Sequence, residues 1–156
     1  MIGRLFLGYV AVLAVAAWFL VGGALDEIKP AMRQSAEETL VDTANLLAEL
    51  VRDDVVAGRF DGGRFAGALT HYAAREFDAD IYGVRKQRAA LHVYVTDARG
   101  IVLFDSQGEA VGEDYSRWND VYLTLRGRYG ARSTPADPQD ETSTVMYVAA
   151  PIRHDG

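Results

Sequence analysis

The sequence of 156 residues contains no cysteine. That absence excludes thiol catalysis, zinc–thiolate sites, iron–sulfur clusters and disulfide staples, so any folded part must be held by its core alone. Histidine is scarce too, and the three at positions 71, 92 and 154 are too scattered for a recognisable metal-ligand spacing. No basic patch is large enough to suggest a nucleic-acid partner. Internal repeats and low-complexity tracts are missing as well. No nucleophile–base pair or carboxylate pair stands out, which argues against an exported enzyme. The expectation is a chain with no catalytic residue, no metal ligand and no cofactor site of its own.

Charge is missing altogether from one stretch, LFLGYVAVLAVAAWFLVGGAL, Leu5 to Leu25. As a helix it would be roughly 31 Å long, enough to cross a hydrocarbon core of about 30 Å. Arg4 lies before it and Asp26 and Glu27 after it, which puts the N-terminal tip in the cytoplasm and the rest outside. Trp18 and Phe19 fall toward the outer end, where aromatic rings settle near headgroups. A cleaved signal peptide, with Gly22-Gly23-Ala24 at its cleavage region, and a buried core helix are the competing readings. Length favours the anchor, and both the anchor and the signal peptide export the remainder. The expected division is 1–25 for a cytoplasmic tip and transmembrane helix, and 26–156 for one extracytoplasmic domain with a real core. Arg4 is the sole charged side chain before Asp26, leaving 15 of the 16 basic and all 22 acidic residues in that domain. Its surface is acidic and soluble.

Past the anchor, Leu25, Ile28, Met32, Ala36, Leu40, Ala44, Leu47, Val51 and Val55 recur at helical spacing. Pro30 is expected to kink or restart the helix, and Ser35-Ala36-Glu37-Glu38 fits a capping box for a restart. A helix over about 31–57 follows, either a rod joining domain to membrane or a domain helix packed on a sheet. Gly58, Gly62 and Gly63 mark a turn, and a shorter helix should carry Phe65, Leu69, Tyr72 and Ala73 on one face. His71 lies beside that face.

The period then changes. Ile81–Val84 reads as a short strand before the basic cluster Arg85, Lys86 and Arg88. LHVYVTD (91–97) and IVLFDS (101–106) read as two strands of a tight hairpin around Ala98-Arg99-Gly100. Neither alternates cleanly, so the sheet should be covered on both faces, by the long helix on one and by a lid on the other. The lid candidate is Gly112–Arg132, with a helical turn or two at Val121–Leu125. It gathers Tyr115, Trp118, Tyr122 and Tyr129 with Arg117, Arg126, Arg128 and Arg132. Aromatics mixed with guanidinium groups suit a pocket for a small anion, whereas the plainer alternative has the aromatics closing the core and the arginines solvated. The candidate ligand contacts are His92 and Tyr94 from the sheet, and Arg117, Trp118 and Arg126 from the lid. Residues 135–143 read as an acidic loop, and TVMYVAAPI (144–152) as a strand ending at Pro151. His154-Asp155-Gly156 reads as a hairpin turn whose second strand is missing, as in a fragment.

These pieces, in order, resemble an extracytoplasmic PAS-like sensor of the Cache (PDC) type, on YVTDARGIVLFDS (94–106), GEDYS (112–116) and VMYVAAPI (145–152). TLVDTANLLAEL (39–50), DYSRWNDVYLTLRGRYGARST (114–134) and VMYVAAPI further resemble the sensor histidine kinases of a carbon-source-responsive two-component system. That resemblance covers nearly all of the chain, including the anchor, and weakens between residues 53 and 90. It implies an α+β fold in which the long helix packs on a central antiparallel sheet, with a last strand and a second transmembrane helix still to come. It also implies a homodimer in the bacterial inner membrane, with the sensor domain periplasmic. A HAMP-like connector, a phospho-accepting histidine and a kinase domain using ATP and Mg would lie elsewhere, with a response regulator as partner. None of the three histidines is expected to be the phosphorylation site, and the resemblance supplies no ligand-contacting residue. A chemoreceptor, a cyclic-dinucleotide enzyme, or a protein-interaction or dimerisation module without a small ligand would suit the same input region.

Overall fold

The computed structural model describes residues 2–60, 62–137 and 140–153, and the side chains among them other than those of 2, 4, 5, 21–32, 136 and 140–142. Helix α1 spans Ile2–Val56, and the chain divides into two units, Met1–Thr39 and Leu40–Gly156. In the first unit none of the residues from Phe6 to Leu20 is charged, and all are exposed. Among the described residues no helix is long and apolar enough to cross a membrane. The ends of the expected span, Leu5 and Val21–Leu25, lie outside the described side chains.

Pro30 does not interrupt α1, contrary to the expected kink or restart. A proline removes one backbone donor, and the turns on either side of it carry the helix through. Ser35 is consequently interior and not a cap. Its carbonyl accepts from Thr39 Oγ1 at 3.0 Å, and Gln34 Nε2 donates to Glu38 Oε1 at 2.9 Å.

In the second unit α1 buries the stripe containing Ala48 and Val51, with Leu47 and Val55 half-buried beside it. The helix ends at Val56, followed by Gly58 in the left-handed region, φ 64°. Helix α2, Arg64–Ala73, is started from a distance: Asp54, buried on α1, accepts the Phe65 N–H at 2.9 Å through Oδ2. Such a bond satisfies one of the orphan donors of a helix N-terminus. A Cβ on Gly63 would sit 2.8 Å from that same oxygen and 2.5 Å from the Arg59 carbonyl, so only glycine admits the approach. Phe65 and Leu69 of α2 meet Val51 and Val95 in the apolar core. Burial stabilises each such side chain by about 1.5–3 kcal/mol.

The strands form three antiparallel pairs: β1 (Glu76–Ile81) with β2 (Val84–Arg88), β3 (Tyr94–Thr96) with β4 (Val102–Asp105), and β5 (Gly130–Asp137) with β6 (Asp140–Ala149). The α+β class and antiparallel pairing hold. The single central sheet does not, because no ladder bonds join the pairs among the described residues. Two strand boundaries also differ from expectation. Ile81–Val84 is not one strand: Ile81 ends β1, Val84 begins β2, and Tyr82 (φ 51°) and Gly83 (φ 83°) form the turn between them, with Asp80 Oδ1 accepting the Gly83 N–H. The basic cluster therefore lies on β2, where Arg85 opposes Asp80. The acidic segment 135–143 is not a loop throughout. Pro135 pairs with Thr144 and Asp137 with Asp140, because the long β5–β6 ladder carries the polar residues into its tip. The turn expected at His154–Gly156 lies outside the described residues.

Candidate functional site: the lid face of the β3–β4 hairpin

Side chains on a strand point alternately to its two faces. Val93 and Val95 pack with the α1–α2 core, so His92 and Tyr94 turn the other way. The β3–β4 turn is shaped by Asp97, whose Oδ1 accepts the N–H groups of Arg99 and Ile101 at 2.8 and 2.9 Å. Gly100 follows at φ 89°, and a Cβ there would lie 2.6 Å from Ser116 Cα. The lid begins at that close approach. Tyr115 N–H bonds to the Gly100 carbonyl at 2.9 Å, and along the outer edge of β4 the Val102 N–H donates to the Glu113 carbonyl and the Gly112 N–H to the Val102 carbonyl. Helix α3, Asn119–Thr124, supplies the fully buried Asp120. Gly130 lets β5 pass close to α3, since a Cβ there would collide with the Asp120 carbonyl.

Arg132 of β5 occupies the centre. Its guanidinium lies 3.8 Å from the Trp118 ring and 4.2 Å from the Tyr147 ring, on two aromatic faces. Its Nε donates to Asp120 Oδ1 at 3.1 Å, with Arg132 13% exposed and Asp120 not at all. Its Nη1 donates to Thr134 Oγ1. Its Nη2 is buried and has no hydrogen-bond partner among the described residues. The second Asp120 oxygen accepts the Tyr94 hydroxyl. Burial, and then the adjoining Asp120 carboxylate, push that phenol above its ordinary pKa, so it remains a donor at physiological pH. Tyr115 stacks on Trp118 at 3.9 Å and meets Tyr94 edge-on at 5.2 Å.

A second knot adjoins the first. His92 Nε2 lies 2.5 Å from Asp105 Oδ1, and its Nδ1 lies 3.3 Å from the Tyr147 hydroxyl. Asp105 also accepts the N–H groups of Gln107, Glu109 and Ala110. Burial works against the charged form of Asp105, but the Gln107 amide, the His92 ring and the Ala110 amide outweigh it and hold the carboxyl below its usual range.

Of the five expected contacts, His92, Tyr94 and Trp118 come together here. Arg117 is exposed, and Arg126 is exposed with its guanidinium 3.5 Å over Tyr122 and Nη1 on the Tyr122 carbonyl. The guanidinium brought to the site is that of Arg132 instead, with Tyr115 from the lid aromatics and with Asp105, Asp120 and Tyr147 as members not singled out from the sequence. The signal for Arg132 was its place two residues after Gly130 and directly opposite Tyr147. A groove of about 720 Å3 adjoins this cluster, lined by His92, Tyr94 and Tyr147 of the site together with Leu47 and Val51 of α1, Val93 and Val95.

The chain is 56% identical over 149 residues, 96% of its length, to Sensor protein CreC of Escherichia coli (strain K12). The chain spans 31% of the length of that protein. The resemblance to these sensor proteins seen in segments 39–50, 114–134 and 145–152 thus extends over almost the whole chain. No protein-family model and no solved structure matches it.

Proposed function

We propose, proceeding from that similarity, that this chain is the input region of a membrane-bound two-component sensor histidine kinase. The 56% identity to a sensor protein over nearly the entire chain carries the reading. Residues 1–25 provide a cytoplasmic tip and a transmembrane helix, in keeping with the uncharged run Leu5–Leu25. Residues 26–156 form a PAS-like sensor domain outside the bacterial inner membrane. The longer protein, as a homodimer, uses ATP and Mg in its kinase domain to phosphorylate a histidine and then an aspartate of its response regulator. A small anionic metabolite is the input, and Arg132 is the guanidinium that receives it, since its buried Nη2 is a donor without an acceptor among the described residues. A ligand shifts output only by its differential affinity for the two signalling states. Binding at Arg132 competes with Asp120 and loosens or tightens the lid on Tyr94.

The test is phosphotransfer by the full-length protein in membrane vesicles, with small carboxylates or sugar phosphates supplied on the outer side. Histidine phosphorylation followed by transfer to the response regulator is expected, and a protein that takes no phosphate from ATP would sink the reading. A second reading keeps the sensor and drops the metabolite, leaving a protein-interaction or dimerisation module. It is favoured by one observation: Arg132 and Tyr115 already fill the space between Tyr94 and Trp118. Unchanged output and unchanged melting across the whole ligand set would select it.

A further inference from the structure

The β1–β2 hairpin takes no part in the lid-face cluster, and its strands bond only to each other among the described residues. Side chains alternate along a strand, and residues opposite each other in an antiparallel pair share a side. Asp80 opposes Arg85, and Asp78, two residues before Asp80, places Oδ1 3.6 Å from Arg85 Nε. That face is ion-paired. On the other face Ile81 opposes Val84 and Ala79 opposes Lys86, with Arg88, opposite Glu76, following Lys86 at the strand period. Ile81 and Val84 are exposed there, and neither Lys86 nor Arg88 has an ion-pair partner among the described residues.

The turn adds an independent observation. Tyr82 and Gly83 both have positive φ, 51° and 83°, as a two-residue hairpin turn matched to the twist of its strands requires. Glycine meets that demand freely and asparagine or aspartate readily, whereas an aromatic residue meets it under strain. Among the described residues nothing covers Tyr82, whose side chain is fully exposed. Neither turn chemistry nor packing accounts for a tyrosine at this position. A strained residue with no contact inside the fold points to a contact outside it.

We propose that the tip of the β1–β2 hairpin is a contact for an anionic lipid surface. Tyr82, Ile81 and Val84 enter the headgroup layer, where a phenol keeps its ring among apolar atoms and its hydroxyl in water. Lys86 and Arg88, set back from the tip, lay their stems along the surface and their charges on headgroup phosphates. The nearby carboxylates do not oppose this, because Asp78 pairs with Arg85 on the other face and Asp80 accepts the Gly83 N–H. Charge favours lipid: in a chain of net charge −6, β2 is VRKQR, with three cations and no anion. Area disfavours a protein, since three apolar side chains fall short of the roughly 800 Å2 that each partner of a stable interface buries. A lipid surface needs no such area, because the span proposed for residues 1–25 already holds the chain at a membrane and raises the effective concentration of lipid. The inference rests on that span for its tether alone.

The test uses the whole chain in vesicles. Because the chain has no cysteine, Val84→Cys can carry a single environment-sensitive fluorophore, with the equally exposed lid position Val111→Cys as control. The vesicles contain about one-third phosphatidylglycerol in phosphatidylcholine, with a headgroup spin label as quencher in both leaflets. Quenching at position 84 is expected to exceed that at position 111 at least about threefold. Lys86→Ser and Arg88→Ser should each lower the ratio of bound to free hairpin about fivefold. Tyr82→Gly should lower quenching while leaving the hairpin folded, since glycine relieves the left-handed position. Equal quenching at the two positions, or quenching at position 84 that is as strong in pure phosphatidylcholine, overturns the proposal. A tip that lipid leaves unquenched but that crosslinks to a protein in cells assigns the surface to a protein partner and overturns it too. Flotation of the chain with vesicles after an alkaline wash tests the span separately. Its loss would remove the membrane-anchor reading, while quenching at position 84 of chain added to vesicles would still decide the hairpin.

Discussion

The two faces of strand β3 differ in how they are held. On the α1 side, Val93 and Val95 meet Val51, Phe65 and Leu69, and nothing there is directional. On the lid side, His92 and Tyr94 meet Asp105, Asp120, Arg132 and Tyr147, and nearly every contact has a donor, an acceptor or a charge. Where Val51, Phe65, Leu69 and Val95 pack together beside the groove, the apolar contacts transmit strain without any donor or acceptor to satisfy. A polar network has alternatives, since a donor such as Arg132 can exchange one acceptor for another. The comparison teaches that the apolar face is suited to transmit a displacement and the polar face to originate one.

The largest expected effects come from the centres of the two faces. Phe65→Ala should destabilise the domain by about 3–5 kcal/mol through the lost transfer and the remaining cavity. Arg132→Met should cost a similar amount, about 3–5 kcal/mol, but for a different reason: it leaves the Asp120 carboxylate buried and unpaired. Pairing Arg132→Met with Asp120→Leu separates the two cases. The double variant should recover most of the loss, because a buried ion pair replaced on both sides is often near neutral. Urea unfolding followed by Trp118 fluorescence, in a Trp18→Phe background, measures all three. If the double variant is as unstable as Arg132→Met alone, the polar face is held by packing and the contrast fails.

A smaller effect distinguishes the faces by pH. The Asp105 carboxyl has a folded pKa below its unfolded value of about 4. Between those two values the unfolded chain carries more protons, so the stability from Asp105 is complete above about pH 4 and is lost as pH falls through the folded value. Asp105→Asn should remove that acid-side slope and Val51→Ala should leave it intact, as read from urea midpoints between pH 2 and 6. The smallest effect is expected at Arg117 and Arg126. Both are exposed, so their change to alanine should leave the urea midpoint unmoved.

Much of this arrangement was legible in the sequence because it is local. Residues 91–97 and 101–106 read as a hairpin around Ala98-Arg99-Gly100, and β3 and β4 pair there. The helix over 31–57 follows from spacing alone. The site's central residue was not legible in that way. Arg117, Arg126, Arg128 and Arg132 are alike in composition, and only the pairing of Arg132 with Tyr147 across β5–β6 selects one of them. That pairing is long-range and begins in GARSTPAD, whose small residues and proline carry weak strand propensity. The hairpin at Ile81–Val84 was obscured for a related reason. EFDADI and VRKQR pair through a backbone ladder and bury no apolar face, so no hydrophobic pattern marks them.

The central proposal is that the lid face of β3 belongs to the input region of a sensor kinase and sets its output. The most direct measurement is histidine phosphorylation of the full-length protein in membrane vesicles, comparing the parent with the Arg132→Met, Asp120→Leu double variant. With folding retained, the double variant should shift the phosphorylation level at least about fivefold, the scale of an ordinary allosteric coupling. A folded, membrane-inserted double variant with the parent's output would contradict the claim.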